Sequence, residues 1–181
     1  MHKVIKSETV FKGKVFEAAV ENVVLPNDKQ VNREVVRHKG GCSVVAIKNH
    51  ESNNPSVILV KQYRHAANDF VLEIPAGILE SGEDPMDGAA RELEEETGYT
   101  ANNIKHLFTM YKSVGYCTEK HYLYLCHVQG EPGIQNLDPD EDVEVVLVTV
   151  DKAVEMIFSG QIIDSKAISG ILAYRELRNK K

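Results

Sequence analysis

Glutamates 92, 95 and 96 stand at i, i+3 and i+4 in the stretch ARELEEETGY, directly after an arginine at 91. On a helix this spacing puts three carboxylates along one side, within reach of shared cations. Left alone, like charges so placed destabilise a helix by about 0.2–0.5 kcal/mol per pair and raise one another's pKa. A hard divalent cation such as Mg²⁺ removes that cost, because it takes oxygen ligands and bridges carboxylates to phosphate groups. The available chemistry is then polarisation of a phosphoryl oxygen, neutralisation of a diphosphate and activation of an attacking water. An isolated acidic run would read more simply as a solvated helix face, so the surroundings of the run must decide.

The helix that carries the glutamates is predicted over Pro85–Thr97. Asp84 is an N-cap residue, Pro85 suits the first helical position, and Gly98 suits a left-handed C-terminal cap. Met86, Ala89, Ala90 and Leu93 repeat at helical spacing and form an apolar face to pack on a sheet. Ahead of it, Pro75–Gly82 reads as a loop. Alternating β-branched residues predict strands at Glu17–Leu25 and Gln30–His38 around a Pro26–Lys29 turn, and the first forty residues as a hairpin or small sheet. Further strands are expected at Cys42–Lys48, Val57–Tyr63, Phe70–Ile74, Ile104–Tyr111, His121–Val128 and Val143–Val150, with helices at Lys152–Phe158 and Ser165–Arg178. Strands, helix, strands, helices is the order of a mixed sheet covered by helices, so the fold class is α/β. Residues 1–40 are expected to form an N-terminal β-sheet extension and 41–181 the main domain, together one structural unit.

With 181 residues, 43% hydrophobic and 27% charged, the chain can bury a sizeable core and keep a charged surface. Its longest apolar stretch, near Val143–Val150, is far shorter than a bilayer span, and no signal-peptide hydrophobic region opens the sequence, so a cytoplasmic location is expected and no membrane contact. A net charge of −6 argues against a nucleic-acid partner. The three cysteines include no CxxC pair and suggest neither a disulfide framework nor a cysteine-rich zinc site.

The surroundings of the acidic run do decide. GILESGEDPMDGAARELEEETGY, residues 77–99, fits the pattern G-x5-E-x7-R-E-U-x-E-E-x-G-U in full, with U a bulky hydrophobic residue. Chance agreement is on the order of 10⁻⁹ per starting position at ordinary residue frequencies. The chain here resembles the Nudix hydrolase family, whose fold is an α/β/α sandwich. The resemblance implies that Glu92, Glu95 and Glu96 are metal ligands, together with the backbone carbonyl of Ala76. It implies that Arg91 and Glu83 orient the helix and its carboxylates, and that Gly77 permits the turn of the loop. Glu95 and Arg91 are counted with the catalytic machinery, and the cofactor is Mg²⁺, with Mn²⁺ as the alternative.

Beyond that box, VKQYRHAANDFVLEIPAG and the acidic loop LDPDEDVEVV are similar to the branch that hydrolyses ADP-ribose and other nucleoside diphosphate sugars. The resemblance implies a phosphate contact from Arg64 and a substrate-side position for Glu73. It adds Arg33 and Arg37 as further positive charge and Phe16 as a stacking face for a base. A guanidinium suits bidentate bonding to phosphate oxygens, and an aromatic face suits a nucleobase. Glu141, in the acidic loop Asn136–Asp142, is the candidate for metal binding or water activation. A neighbouring position that is a glutamate base in some relatives is Pro139 here, which leaves Glu141 or a helix glutamate for that role. ADP-ribose-selective relatives carry a serine-proline-glycine turn where this chain has Ser113-Val114-Gly115, so a broader range of nucleoside diphosphate sugars is expected. The branch is typically a homodimer. The rival readings are a Nudix hydrolase of another nucleotide diphosphate and a noncatalytic nucleotide-sensing module, against which the intact box argues.

Overall fold

A computed structural model describes residues 2–139 and 141–180. It divides into two compact units, Met1–Gly41 with Thr109–His121, and Cys42–Phe108 with Tyr122–Lys181.

In the first unit, β1 (Lys3–Lys12), β2 (Phe16–Val24) and β3 (Gln30–His38) form a three-stranded antiparallel sheet in chain order. The turn between β2 and β3 works as its residues predict. Asp28 takes a left-handed φ of 62°, Leu25 N–H bonds Lys29 O at 2.8 Å, and Asn27 Oδ1 accepts the Lys29 N–H at 3.3 Å. The β1 strand was not separately delimited by the sequence pattern. All its residues are exposed, so it carries no buried face to produce a strong alternation. The free side of β3 takes Val36 hydrogen bonds from the 109–121 segment, Val36 N–H to Tyr116 O at 2.8 Å and Thr118 N–H to Val36 O at 2.9 Å.

In the second unit the chain builds a mixed sheet of β4 (Gly41–Lys48), β5 (Ser56–Arg64), β6 (Asp69–Glu73), β7 (Ala76–Ile78), β8 (Asn102–Tyr111), β9 (Lys120–Val128) and β10 (Val143–Thr149). Its order is β10-β5-β4-β9-β8, with β6 on β5 and β7 on β4. The central β4 is buried on both sides, and its alternate residues serve two cores. Cys42, Val44 and Ala46 cluster with Ile58, Tyr124 and Cys126 and with Ala89 and Leu93 of α1 (Pro85–Thr97). Val45, pointing the other way, lies under Gly170 of α3 (Ser165–Asn179), where an added β-carbon would also meet Leu123 at 3.3 Å and Ile74 at 3.5 Å. A helix on each face makes the sandwich, and each fully buried valine or isoleucine in it contributes about 1.5–3 kcal/mol.

The helix α2 (Val150–Phe158) starts two residues before the sequence expectation, because Thr149 ends β10 and at once caps the helix, accepting the Lys152 N–H at 3.2 Å. The expected loop Pro75–Gly82 contains the short strand β7, held to β4 by a long-range pairing that local sequence does not encode. Among the described residues no helix is long and apolar enough to cross a membrane. Cys42 and Cys126 are buried free thiols whose pKa values burial pushes up to about 12, as expected of idle cysteines.

Candidate active site

The first helix is placed by its ends. Asp84 accepts the Met86 N–H at 2.8 Å, Pro85 opens the helix, and Gly98, at φ 71°, closes it with its N–H on Glu94 O at 2.8 Å. Its apolar face is the Ala89 and Leu93 side, buried on the sheet; Glu92 and Glu96 are buried at the border of that face, and Arg91 and Glu95 continue the same flank half-buried, along the loop of β7.

Arg91 gathers this flank. Its Nε and Nη2 donate to the two oxygens of Glu83 at 2.9 and 3.1 Å, and its Nη1 donates to Glu92 Oε1 at 2.9 Å and Glu95 Oε2 at 2.8 Å. Glu83 in turn accepts the Glu80 N–H at 2.9 Å, so the arginine ties the loop to the helix through a carboxylate bonded at both places. Gly77 supplies the space for Glu92, since a β-carbon there would collide with that carboxylate. The Ala76 N–H donates to Glu96 Oε2 at 3.1 Å, which brings the Ala76 peptide against the innermost glutamate.

The electrostatics are those of a carboxylate cluster short of positive charge. Glu96 is 2% exposed, and burial, followed by the charge of Glu92, pushes its pKa up to about 8. Burial also raises Glu92, overcoming the help it receives from Arg91. Glu141 adds to the upward shift of both, so its charge acts on the same cluster. As they stand, no three His, Cys, Asp or Glu side chains among the described residues converge on one point where an ion could be held. The physical reason is visible: Arg91 occupies Glu92 and Glu95, and a peptide N–H occupies Glu96. The donor set nevertheless fits a hard divalent cation, being all oxygen, and its raised carboxylates are what a cation would relieve.

The loop bearing Glu141 hangs from the C-terminal end of α1. Gly133 N–H bonds Gly98 O at 2.8 Å, Asn136 N–H bonds Glu95 O at 2.9 Å, and Gln135 Nε2 donates to Glu96 O at 2.6 Å. These donors satisfy carbonyls that a helix end leaves without partners. Glu141 Oε2 accepts the Asp138 N–H at 3.2 Å, while Asp140 of the expected acidic loop lies outside the described residues.

Beside the cluster, Arg64 at the end of β5 grips Glu73 at the end of β6, Nε to Oε1 at 2.6 Å and Nη2 to Oε2 at 2.9 Å. Glu73 is 3% exposed. Burial works to raise its pKa, but Arg64 and the charge of Lys166 outweigh it and hold the carboxyl down at about 2. The charge of Glu73 also acts on Glu96, so the two groups share one electrostatic neighbourhood. Lys166 and Asp164 escaped the sequence reading. A lysine in the first turn of α3 runs against the helix dipole, which was the available signal.

The remaining candidates lie in the first unit. Arg33 stands across from Glu21, and Arg37 across from Glu17, in the β2–β3 register. Arg37 bonds Glu21 and donates to Ser7 Oγ at 2.8 Å. Phe16, 40% exposed, packs its ring at 5.3 Å from that of Phe11 and borders a groove with Lys12, Lys14, Arg37 and His38. Val114 is 78% exposed in a turn where Ser113 O accepts the Tyr116 and Cys117 N–H groups at 3.1 and 2.8 Å.

Comparison with known proteins agrees with this geometry. Residues 38–168 match the NUDIX domain. The chain is 40% identical over 172 residues to an ADP-ribose pyrophosphatase of Bacillus subtilis, covering 93% of this chain and 90% of that protein. It is 39% identical over 170 residues to a methanol dehydrogenase activator of Bacillus methanolicus, with the same coverage. A GDP-mannose pyrophosphatase of an Enterobacter species is 31% identical over 168 residues, 78% of this chain and 84% of that one. The clasped carboxylate helix, the sandwich that positions it and these likenesses have one reading: the chain belongs to the NUDIX family.

Proposed function

We propose that this protein is a pyrophosphohydrolase that cleaves the diphosphate bond of nucleoside diphosphate sugars, ADP-ribose and GDP-mannose among them, to a nucleoside monophosphate and a sugar phosphate. The observation that carries the reading is the Arg91-gathered flank of α1, where buried like charges require a cation, beside the half-open Arg64 guanidinium. Its relatives named for ADP-ribose and GDP-mannose supply the substrate class.

Glu92, Glu95, Glu96 and the Ala76 carbonyl would hold the cation, Mg²⁺ or Mn²⁺, with Glu141 joining from its loop. Divalent ions so held neutralise the diphosphate and lower the pKa of an attacking water. Arg91 keeps Glu83, Glu92 and Glu95 in register; an ion held by Glu92 and Glu95 would take over its Nη1 contacts, while the two-pronged hold on Glu83 would stay. Arg64 presents its outer donors to phosphate oxygens. The water proton passes to Glu141 or to a helix glutamate. Catalysis then rests on positioning and charge neutralisation rather than on a covalent intermediate.

Arg33, Arg37 and Phe16 supply the nucleoside end with positive charge and an aromatic face. Their support is chemical type, with Arg33 and Phe16 exposed on the first unit and Arg37 half-buried against Glu21. A homodimer is the proposed assembly, supported by the exposed apolar residues Val4, Ile5, Val10 and Phe11 on the edge strand β1. Cytoplasmic residence is proposed with it.

The test is hydrolysis of ADP-ribose, GDP-mannose and a nucleoside triphosphate with Mg²⁺, with Mn²⁺ and with chelator, the products separated by chromatography. Cation-dependent release of nucleoside monophosphate from the sugars is expected. Turnover confined to the triphosphate, or unaffected by chelation, would overturn the reading.

A further inference from the structure

A buried lysine is costly unless it is paired, and Lys166 is 8% exposed in the first turn of α3, where the helix dipole also opposes its charge. What holds it there is a pair of carboxylates. Its Nζ donates to Glu73 Oε2 at 2.9 Å and to Asp164 Oδ1 at 2.8 Å. Asp164 is itself fixed, because its other oxygen caps α3 by accepting the Ala167 N–H at 2.9 Å. The chain of contacts therefore runs from a helix cap through Lys166 to Glu73, and from Glu73 to Arg64.

The ends of this chain differ in exposure. The side chains of Lys166, Asp164 and Glu73 are 10%, 11% and 4% exposed, whereas that of Arg64 is 44% exposed. Glu73 takes up one edge of the guanidinium, Nε and Nη2, and no hydrogen bond among the described residues engages Nη1. A planar fork fixed along one edge presents the other in a set direction, the geometry that suits two oxygens of a phosphate. Glu73 could rotate about its own side-chain bonds if Arg64 were its only partner. Lys166 on Oε2 removes that freedom.

The charges make the same point. Arg64 and Lys166 balance Glu73 and Asp164. Without Lys166 the buried pair carries excess negative charge, and Arg64 is drawn inward to supply what Glu73 has lost. The result is an arginine turned from ligand to counter-ion.

We infer that Lys166 is a positioning residue for substrate binding: by clamping Glu73 from behind against Asp164, it holds Arg64 with its free guanidinium edge turned outward to receive the diphosphate. This rests on the reading of Arg64 as the phosphate contact, and the experiment separates the two. Steady-state kinetics with ADP-ribose and Mg²⁺ are measured for Arg64→Ala, Lys166→Met, the double variant and Lys166→Arg. A charge-assisted hydrogen bond contributes about 1.5–3 kcal/mol, so Arg64→Ala and Lys166→Met are each expected to raise KM about tenfold or more. For Lys166→Met, kcat should fall less than threefold. The double variant should match Arg64→Ala alone, since both act through one contact, and Lys166→Arg should restore much of the binding.

An unchanged KM in Arg64→Ala would overturn the phosphate-contact reading itself. A raised KM there with an unchanged KM in Lys166→Met would leave that reading standing and overturn this inference. So would a double variant whose effects multiply, which is what a merely structural lysine gives. If Lys166→Met does not fold, Lys166→Gln, one atom shorter and neutral but still carrying N–H donors, takes its place with an expected severalfold rise. A wild-type KM in that variant overturns the inference.

Discussion

The Glu92 carboxylate lies in the space that a β-carbon at Gly77 would occupy. The backbone at this glycine is not in the left-handed region, so what position 77 requires is emptiness rather than conformational freedom. The loop of β7 and the helix α1 approach as closely as the absence of one methyl group allows.

Gly77→Ala should therefore displace Glu92 while leaving the sandwich folded. Overpacking of this kind costs about 1–3 kcal/mol, and the displaced carboxylate is a proposed metal ligand. A loss of turnover of about tenfold or more is expected, with a weakened response to Mg²⁺ titration and a melting temperature only a few degrees down. A variant with normal Mg²⁺-dependent kinetics would show that Glu92 need not stand where it does.

Glu96 sets a pH dependence whose sign can be worked out. Its pKa is raised to about 8 in the folded, cation-free chain, against an ordinary 4.5. Between those values the folded state holds a proton that the unfolded state has released, so this group makes stability fall as pH rises from 4.5 through 8. Cation binding must expel the same proton, so affinity should rise with pH over that window and level off above 8. Isothermal titration with Mg²⁺ in buffers of different ionisation enthalpy measures the proton release. In Glu96→Gln the release should shrink, leaving the share of the less strongly raised Glu92, and turnover should fall by about a hundredfold or more.

Glu73 titrates in the opposite sense. Its pKa is depressed to about 2, so its contribution to stability is complete above 4.5 and is lost as pH falls toward 2. Acid unfolding followed by circular dichroism should find Glu73→Gln less stable than the parent at neutral pH, with the gap closing below pH 4.

Arg91→Ala leaves Glu83, Glu92 and Glu95 without their shared counter-ion. A drop of about 1–3 kcal/mol in the stability of the cation-free protein is expected, following the cost of leaving charged hydrogen-bond partners unmatched. Mg²⁺ should recover part of it by neutralising Glu92 and Glu95, but Glu83 stays unpaired and activity remains low. Thermal melts with and without Mg²⁺ decide the matter: a cation-independent loss of stability would contradict the proposed exchange between arginine and ion.

How much could be read in advance depended on how local each determinant was. The bounds of α1 followed from Asp84, Pro85 and Gly98, residues that act on their own neighbours. The spacing of Ala89 and Leu93 gave the packed face of α1 but would leave the acidic residues outward; Glu92 and Glu96 are instead buried at its border, where the loop of β7 covers them. The short strand β7 did not announce itself, because its register is imposed by β4, far back in the chain. Nor did Lys166, whose partner Glu73 is 93 residues away. A lysine in a first helical turn is an oddity until the fold brings it a carboxylate. The Arg91 clasp stands between these extremes: its residues were all named by the box, but that one guanidinium serves three carboxylates at once required coordinates.

The hydrogen bonds that hang Gly133, Gln135 and Asn136 on the end of α1 have a mechanical meaning. They tie the segment that leads to Glu141 to the end of α1 at three positions, and Gln135 also ties it to the start of β10 through Val143 O at 3.2 Å. A change that shifts the last turn of α1 therefore shifts with it the chain that leads into the acidic loop.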